Sequence, residues 1–268
     1  MKRFFTTFTL LILIFALVVS VVSAENTTLK EILEKGKMVV GINAMILPLG
    51  YTEATTGKIV GLTPDLLKLY TDKLGVELEL RDFEWNGLFG ALETKKVDFL
   101  APNLTTTIPR TAILGLTDPV LFTGSRAIVA VDSKIKTAAD LNSEDITFAQ
   151  TKGSVYVKVV GRLFPKAKIL QFDNFLDDLN AIASGRADVN MDDELVILFV
   201  GLKGHLDKFR VLEENFASNT YRWTARMDDY DLIKSINVFL QEVRLNGTYK
   251  ELYEKWFEQP WNARVIGY

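Results

Sequence analysis

Short apolar runs alternate with longer amphipathic stretches along nearly the whole chain, and this alternation restricts the fold more than any other feature. Residues 38–42, 76–80, 97–101, 126–131, 146–150, 167–172, 187–191, 209–212 and 221–225 read as strands. Helical periodicity occupies residues 29–34, 63–74, 85–94, 153–164, 174–184, 194–200, 230–245 and 249–257, with a single helical turn at 137–141. Strands and helices alternating at this spacing form βαβ units around a largely parallel sheet. Gly36 and Gly75 stop two of the helices, and Thr63-Pro64-Asp65 opens one with a cap and an early proline. Residues 43–51, with Pro48 and Gly50, are expected to be irregular, and Thr55-Thr56-Gly57-Lys58 to form a turn.

The 268 residues are 48% hydrophobic and 24% charged, with a formal net charge of −3 and no cysteine. There is enough apolar content for one large core or two smaller ones, and nothing basic enough for a nucleic-acid footprint. Without cysteine there are no disulfides, thiolate nucleophiles or thiolate metal sites. Lys2 and Arg3 precede a continuous apolar run at 10–19, and Val22-Ser23-Ala24 supplies small residues before Glu25. Residues 1–24 therefore read as a secretory signal peptide cleaved after Ala24, which places the mature chain in the periplasm. Its removal takes two basic residues and no acid, leaving −5.

The chain also carries an internal echo. Ala91-Leu-Glu-Thr-Lys-Lys-Val-Asp98 resembles Ala181-Ile-Ala-Ser-Gly-Arg-Ala-Asp188. In both, a helix end passes through a basic residue and a small apolar one to an Asp at a strand start. Gly185 is the expected left-handed cap, and Lys95 in the matching place should cost up to about 1 kcal/mol. Two lobes of similar build follow, each closing its own sheet.

Residues 103–110 (Asn-Leu-Thr-Thr-Thr-Ile-Pro-Arg) follow one of the apolar runs. Three hydroxyls, free backbone N–H groups and a guanidinium at a strand end suit a small carboxylate or phosphate. The same residues also fit a Thr107 cap, a first-turn proline and a solvated arginine.

Taken in order, Gly61-Leu-Thr-Pro-Asp65, Trp85-Asn-Gly-Leu-Phe, Leu104-Thr-Thr-Thr-Ile-Pro-Arg110, Leu116-Thr-Asp-Pro119, Gly153-Ser154, Gly185-Arg-Ala-Asp188, Asp192-Asp193-Glu194 and Asn246-Gly-Thr-Tyr with Lys255-Trp-Phe257 carry a resemblance. The sequence resembles the periplasmic amino-acid-binding proteins of ABC transporters over about residues 29–257. The resemblance implies an α/β fold of two doubly wound, Rossmann-like lobes joined by two crossing strands, the type II periplasmic binding protein architecture. Lobe one would comprise residues 25–122 plus 218–268 and lobe two 123–217, with crossings near 123–125 and 218–221. A ligand between the lobes would be enclosed by hinge motion.

By motif match, Arg110 takes the role of the α-carboxylate arginine, with Thr105 beside it and Ser154 arriving from the second lobe. Asp193 matches the carboxylate that pairs with the α-ammonium, and Asn103 lies beside that group. Side-chain selection is expected from Asn43, Ile46, Leu49, Tyr51 and Trp85. Trp85 reads either as a ligand-stacking wall or as a core aromatic. Relatives usually carry an aromatic where this chain has Leu49, and many cationic-ligand binders carry an acid where it has Asn43. Arg222 also stands where a small residue is common. These departures favour an uncharged or acidic ligand side chain over lysine or arginine.

Asp192 is expected to cap a helix or face solvent, and Asp228, Asp229 and Asp231 to start a helix rather than hold calcium. His205 is the only histidine and is expected in an exposed loop. Two functions fit. In the first, a monomeric receptor without cofactor or metal hands an amino acid to the membrane permease of an ABC transporter. In the second, an exported dehydratase of the cyclohexadienyl or arogenate type uses the same scaffold, with Asp82, Glu84 or Asp192 as general acid.

Overall fold

The computed structural model describes residues 27–197, 207–258 and 260. The signal segment and His205 lie outside them. The first half of the chain runs α1 (Thr28–Lys35), β1 (Lys37–Ile42), β2 (Met45–Ile46), β3 (Gly50–Thr52), β4 (Ile59–Val60), α2 (Leu62–Leu74), β5 (Glu77–Asp82), α3 (Leu88–Glu93), β6 (Phe99–Thr105), α4 (Ile108–Thr111), β7 (Gly115–Leu116) and β8 (Leu121–Ala130). It continues through β9 (Thr147–Thr151), α5 (Tyr156–Leu163), β10 (Lys168–Phe172), α6 (Phe175–Ala183), β11 (Val189–Asp193), β12 (Phe209–Val211), β13 (Ser218–Ala225), α7 (Tyr230–Leu245) and α8 (Thr248–Phe257).

The main sheet has the order β10-β9-β11-β8-β13-β6-β1-β5, with β12 added beside β8 and β7 beside β13. Strands β5, β1 and β6 are parallel to one another, as are β10, β9 and β11. The long strands β8 and β13 are antiparallel to the strands they join and to each other, pairing from Ser218 opposite Gly124 to Tyr221 opposite Leu121. They carry the chain across between the two halves. Both are longer than their apolar runs suggest. Hydrogen bonding in the crossing continues the ladder through residues whose pattern alone reads as a break.

Each half of the sheet is covered on both faces, because successive side chains of a strand point to opposite sides. On β6, Phe99 and Ala101 enter a core shared with α2 and α7, while Leu100 enters a second core with Leu88 and Leu92 of α3. On β8, Ala127 and Val129 pack with Tyr156 and Val160 of α5, while Ile128 packs with Leu179 and Ile182 of α6. This is double winding in both lobes.

Helix α2 begins two residues earlier than a Thr63 cap implies. Gly61 is its N-cap and Thr63 lies inside the first turn. The first amides need no side-chain cap, because Leu62 N–H donates to the Pro48 carbonyl (3.0 Å) and Thr63 N–H to that of Leu49 (2.8 Å). Gly61 sits at φ 140°, and a Cβ there would stand 2.5 Å from the Leu49 oxygen. The segment at 43–51, expected to be irregular, contributes β2 and β3 of a small separate sheet. Residues 85–94 divide into a 3₁₀ turn at Trp85–Gly87 followed by α3.

The internal echo is a repeated device. Lys95 and Gly185 both adopt left-handed conformations, at φ 55° and 70°. Lys95 N–H donates to Leu92 O (3.1 Å) and Lys96 N–H to Ala91 O (2.9 Å), and Gly185 and Arg186 repeat both bonds on Ile182 (3.0 Å) and Ala181 (2.9 Å). Asp98 and Asp188 then each lock a neighbouring parallel strand. The Asp98 carboxylate accepts from Val39 N–H at 2.7 Å, and that of Asp188 from Thr147 N–H at 2.8 Å. Lys95→Gly is expected to raise stability by about 0.5–1 kcal/mol in denaturant titrations, and Gly185→Ala to lower it by a similar amount. No heavy atom lies within 4 Å of a Cβ built at Gly185, so that loss would come from the backbone alone.

Candidate functional site

The cleft between the lobes is lined by residues that follow the carboxyl ends of the parallel strands. Asn43 follows β1, Glu84 and Trp85 follow β5, and Asn103 and Thr105 end β6 with Arg110 beyond. From the other lobe, Thr151 and Ser154 come from the end of β9, Asn174 follows β10, and Asp192 and Asp193 end β11. An open α/β sheet places its binding crevice at this edge.

Strand β6 runs on to Thr105 rather than stopping near residue 101, and Asn103 within it adopts φ 60°. Its side chain is buried: the carboxamide oxygen accepts from the Thr63 hydroxyl (3.2 Å), and Nδ2 has no partner. Thr107 caps the next short helix by accepting from Arg110 N–H (3.4 Å), which fixes where the arginine leaves the backbone. The guanidinium turns inward. It donates to Thr105 O (2.7 Å) and reaches Gly153 O in the other lobe (3.5 Å), with the Phe89 ring 5.8 Å beneath it. Burial lowers its pKa to about 10, opposed by the field of Asp193, so it stays charged at neutral pH.

Asp193 is the hub of the opposite wall. Its Oδ2 accepts from the Thr105 hydroxyl (2.9 Å), and its Oδ1 from Tyr156 (2.8 Å) and from Asn219 Nδ2 (3.0 Å). Tyr221 stands near the same carboxylate without completing a hydrogen bond. Burial pushes the Asp193 carboxyl up, and these donors hold it down. Asp192 lines the cleft rather than facing open solvent. It is raised more strongly, first by burial and then by Asp193 beside it.

Seven of the eight expected residues meet in this cleft: Asn43, Trp85, Asn103, Thr105, Arg110, Ser154 and Asp193. Tyr51 does not join them. Its ring makes an edge contact with Trp256 at 6.4 Å. Leu49 is buried in the lobe-one core, and only Ile46 of that segment's expected apolar selectors reaches the cleft. Sequence reasoning missed Tyr156, Tyr221 and Asn219. Nothing in a tyrosine inside a helix or in a crossing strand marks it as a carboxylate partner. It also missed Phe175 and Leu176, although their place just after a strand end was a usable signal. Of the three acids weighed as proton donors, Glu84 and Asp192 line the cleft, whereas Asp82 accepts from Ala44 N–H (2.8 Å) and does not. Among the described residues no group of His, Cys, Asp and Glu could hold a metal ion, and no helix is long and apolar enough to cross a membrane.

The family model of bacterial extracellular solute-binding proteins, family 3, matches residues 38–259. The chain belongs to this family. It is a family of substrate-binding proteins, not enzymes. Among its members, the L-cystine-binding protein TcyJ of Escherichia coli (strain K12) is 26% identical over 236 residues, 87% of each chain. The arginine-binding extracellular protein ArtP of Bacillus subtilis (strain 168) is 30% identical over 227 residues, 83% of this chain and 87% of its own. A mutant of ArgBP from T. maritima superposes with a TM-score of 0.79 at 31% identity, covering 87% of this chain and all of its own. The ancestral amino acid-binding protein AncCDT-1, described as a precursor of cyclohexadienyl dehydratase, gives 0.78 at 31% identity, over 86% of this chain and all of its own. The two-lobed architecture is thus that of a type II periplasmic binding protein.

Beneath the cleft floor, Asp178 is fully buried. It accepts from the Thr151 hydroxyl (2.7 Å) and Asn190 Nδ2 (3.4 Å), leaving Oδ1 unpaired. Burial raises its pKa to about 7. Between about pH 4 and 7 the folded state then keeps a proton that the unfolded chain releases, so this residue lowers stability as pH rises through that window. Asp178→Asn is expected to remove that decline and to gain on the order of 2–4 kcal/mol at pH 8, read by denaturant unfolding at pH 4 and pH 8.

Proposed function

We propose that this protein is an exported, monomeric receptor that captures an amino acid between its lobes and delivers it to the permease of an ABC transporter. The lobes would comprise residues 25–122 plus 218–268 and residues 123–217, hinged at the β8–β13 crossing. One observation carries the reading. Arg110 and Asp193, from opposite lobes, line one cleft and feel each other's field, yet no ion pair joins them. Each charge is largely removed from water without a full counter-charge, which costs free energy.

An α-amino acid offsets both at once. Its carboxylate would meet Arg110, the Thr105 hydroxyl and Ser154 ahead of α5. Its ammonium would meet Asp193, with Asn103 beside it. Because the two charges sit on different lobes, only the closed form satisfies both ends, so binding and closure are one event. The names of the relatives, which specify cystine and arginine, support an amino acid as the ligand class. Glu84 and Asp192 line the cleft as the dehydratase reading requires, but the relatives reported above are named as binding proteins, which favours the receptor.

Thermal unfolding against a panel of the common amino acids tests this directly. A ligand at 100 times its Kd should add about 2.7 kcal/mol of stability, and a panel with no shift would reject the reading. Arg110→Ala is expected to weaken the best ligand by about 2–5 kcal/mol, roughly 30-fold to several-thousand-fold by titration calorimetry. The unliganded melting temperature should change far less.

A further inference from the structure

Charge in the cleft is unbalanced in a way an α-amino acid backbone does not resolve. Among the described lining residues Arg110 is the only cation, whereas Glu84, Asp192 and Asp193 are acidic. The ligand's α-carboxylate uses Arg110 and its α-ammonium uses Asp193. Two carboxylates remain.

Asp192 is the more demanding of the two. Its Oδ1 accepts from Asp193 N–H (2.7 Å), and no described residue pairs with its other oxygen. Its neighbour across the strand pair, Arg126, offers no relief, because that guanidinium pairs with Glu194 at 3.0 Å. Asp178 lies within electrostatic reach behind it and adds to the strain on the ionised form. Consecutive residues of a strand point to different sides, so Asp192 and Asp193 approach the cleft at separate points. Asp193 is engaged by Thr105, Tyr156 and Asn219, and Asp192 by none of them.

Two further features bear on what fills the space. Asn103 Nδ2, more than nine-tenths buried, lines the cleft with no partner among the described residues, marking a place built for a polar ligand atom. Met45, Ile46, Trp85, Phe175 and Leu176 supply an apolar wall suited to an alkyl stem. Asn43 donates one Nδ2 hydrogen to the Phe83 carbonyl (2.9 Å), which leaves its carbonyl oxygen as an acceptor and its other N–H as a donor for the cleft.

We propose that the amino acid selected by this cleft has a basic side chain, an apolar stem ending in a cation, and that Asp192 receives that cation with Glu84 standing at the mouth. This rests on the receptor reading above and specifies its ligand class. It reverses the expectation drawn from Asn43, since the acid that balances the side chain comes from β11 rather than from the end of β1. Burial first, and then the Asp193 charge beside it, push the Asp192 carboxyl up, and a ligand cation next to it would draw it back toward the ionised form.

Titration calorimetry on the protein dialysed free of ligand, with matched pairs that differ only at the tip, tests the assignment. Arginine against citrulline and lysine against norleucine are such pairs. The charged member of at least one pair should bind tenfold or more tighter. Asp192→Asn should weaken that charged ligand at least tenfold and change its neutral partner less than threefold, with the unliganded melting curve confirming that the variant folds. Equal affinity within both pairs, tighter binding of glutamate, or an equal loss for charged and neutral ligands in Asp192→Asn would overturn the assignment while leaving an amino-acid receptor in place. Binding of no amino acid at all would overturn both.

Discussion

The carboxylate of Asp193 is the group on which the arrangement of the cleft depends. It ends a strand of the second lobe, yet it receives hydrogen bonds from Thr105 on β6, Tyr156 on α5 and Asn219 on β13. Donors from three elements thus converge on one acceptor, and the Thr105 bond spans the cleft. Hydrogen bonds to a charged group contribute about 1.5–3 kcal/mol each when geometry is good. They offset the cost of taking the carboxylate out of water, but they leave its charge without a cation. Arg110 faces the same deficit from the other side, held by carbonyl oxygens alone. A protein that keeps two opposite charges in one cleft without letting them meet has left room between them.

The frame that sets this distance is the crossing pair β8 and β13. Four consecutive residue pairs join them between the lobes, and both strands continue into the sheets on either side. Since each lobe's parallel strands end at the cleft, a small rotation about the crossing moves every lining residue of one lobe against the other. The repeated cap and Asp clamp at 91–98 and 181–188 stiffens the start of a strand in each lobe, at the end away from the cleft. The two-strand crossing and the unneutralised site it frames are the parts of the fold on which the proposed ligand-dependent closure would act.

Local chemistry was legible where it spans only a few residues. Gly36 and Gly75 end two helices in left-handed conformations, and Thr107 caps a third, as their residue types led one to expect. The tight spacing of Thr105, Thr107 and Arg110 likewise pointed to a polar cluster at a strand end, because all three lie within one strand end and one turn, and Thr105 and Arg110 do line the cleft. Boundaries were less legible where tertiary pairing overrides pattern. Strand β6 continues past its apolar run to Thr105, and Gly61 replaces Thr63 as the cap because two carbonyls from residues 48 and 49 arrive there.

The sequence by itself determined the alternation of strands and helices, the duplicated lobe and the identity of the charged residues, since hydrophobic period and capping act over a single turn or strand. The tertiary structure alone decided which charges share a cleft. Thr105 and Asp193 are 88 positions apart and meet only because β8 and β13 bring the carboxyl ends of the two halves of the sheet together. The same packing turned Leu49 into the core and Tyr51 toward Trp256, and brought Tyr156, Tyr221 and Asp192 to the site instead. Period gives the face on which a side chain lies. Which faces oppose one another across a cleft is fixed by how the lobes dock.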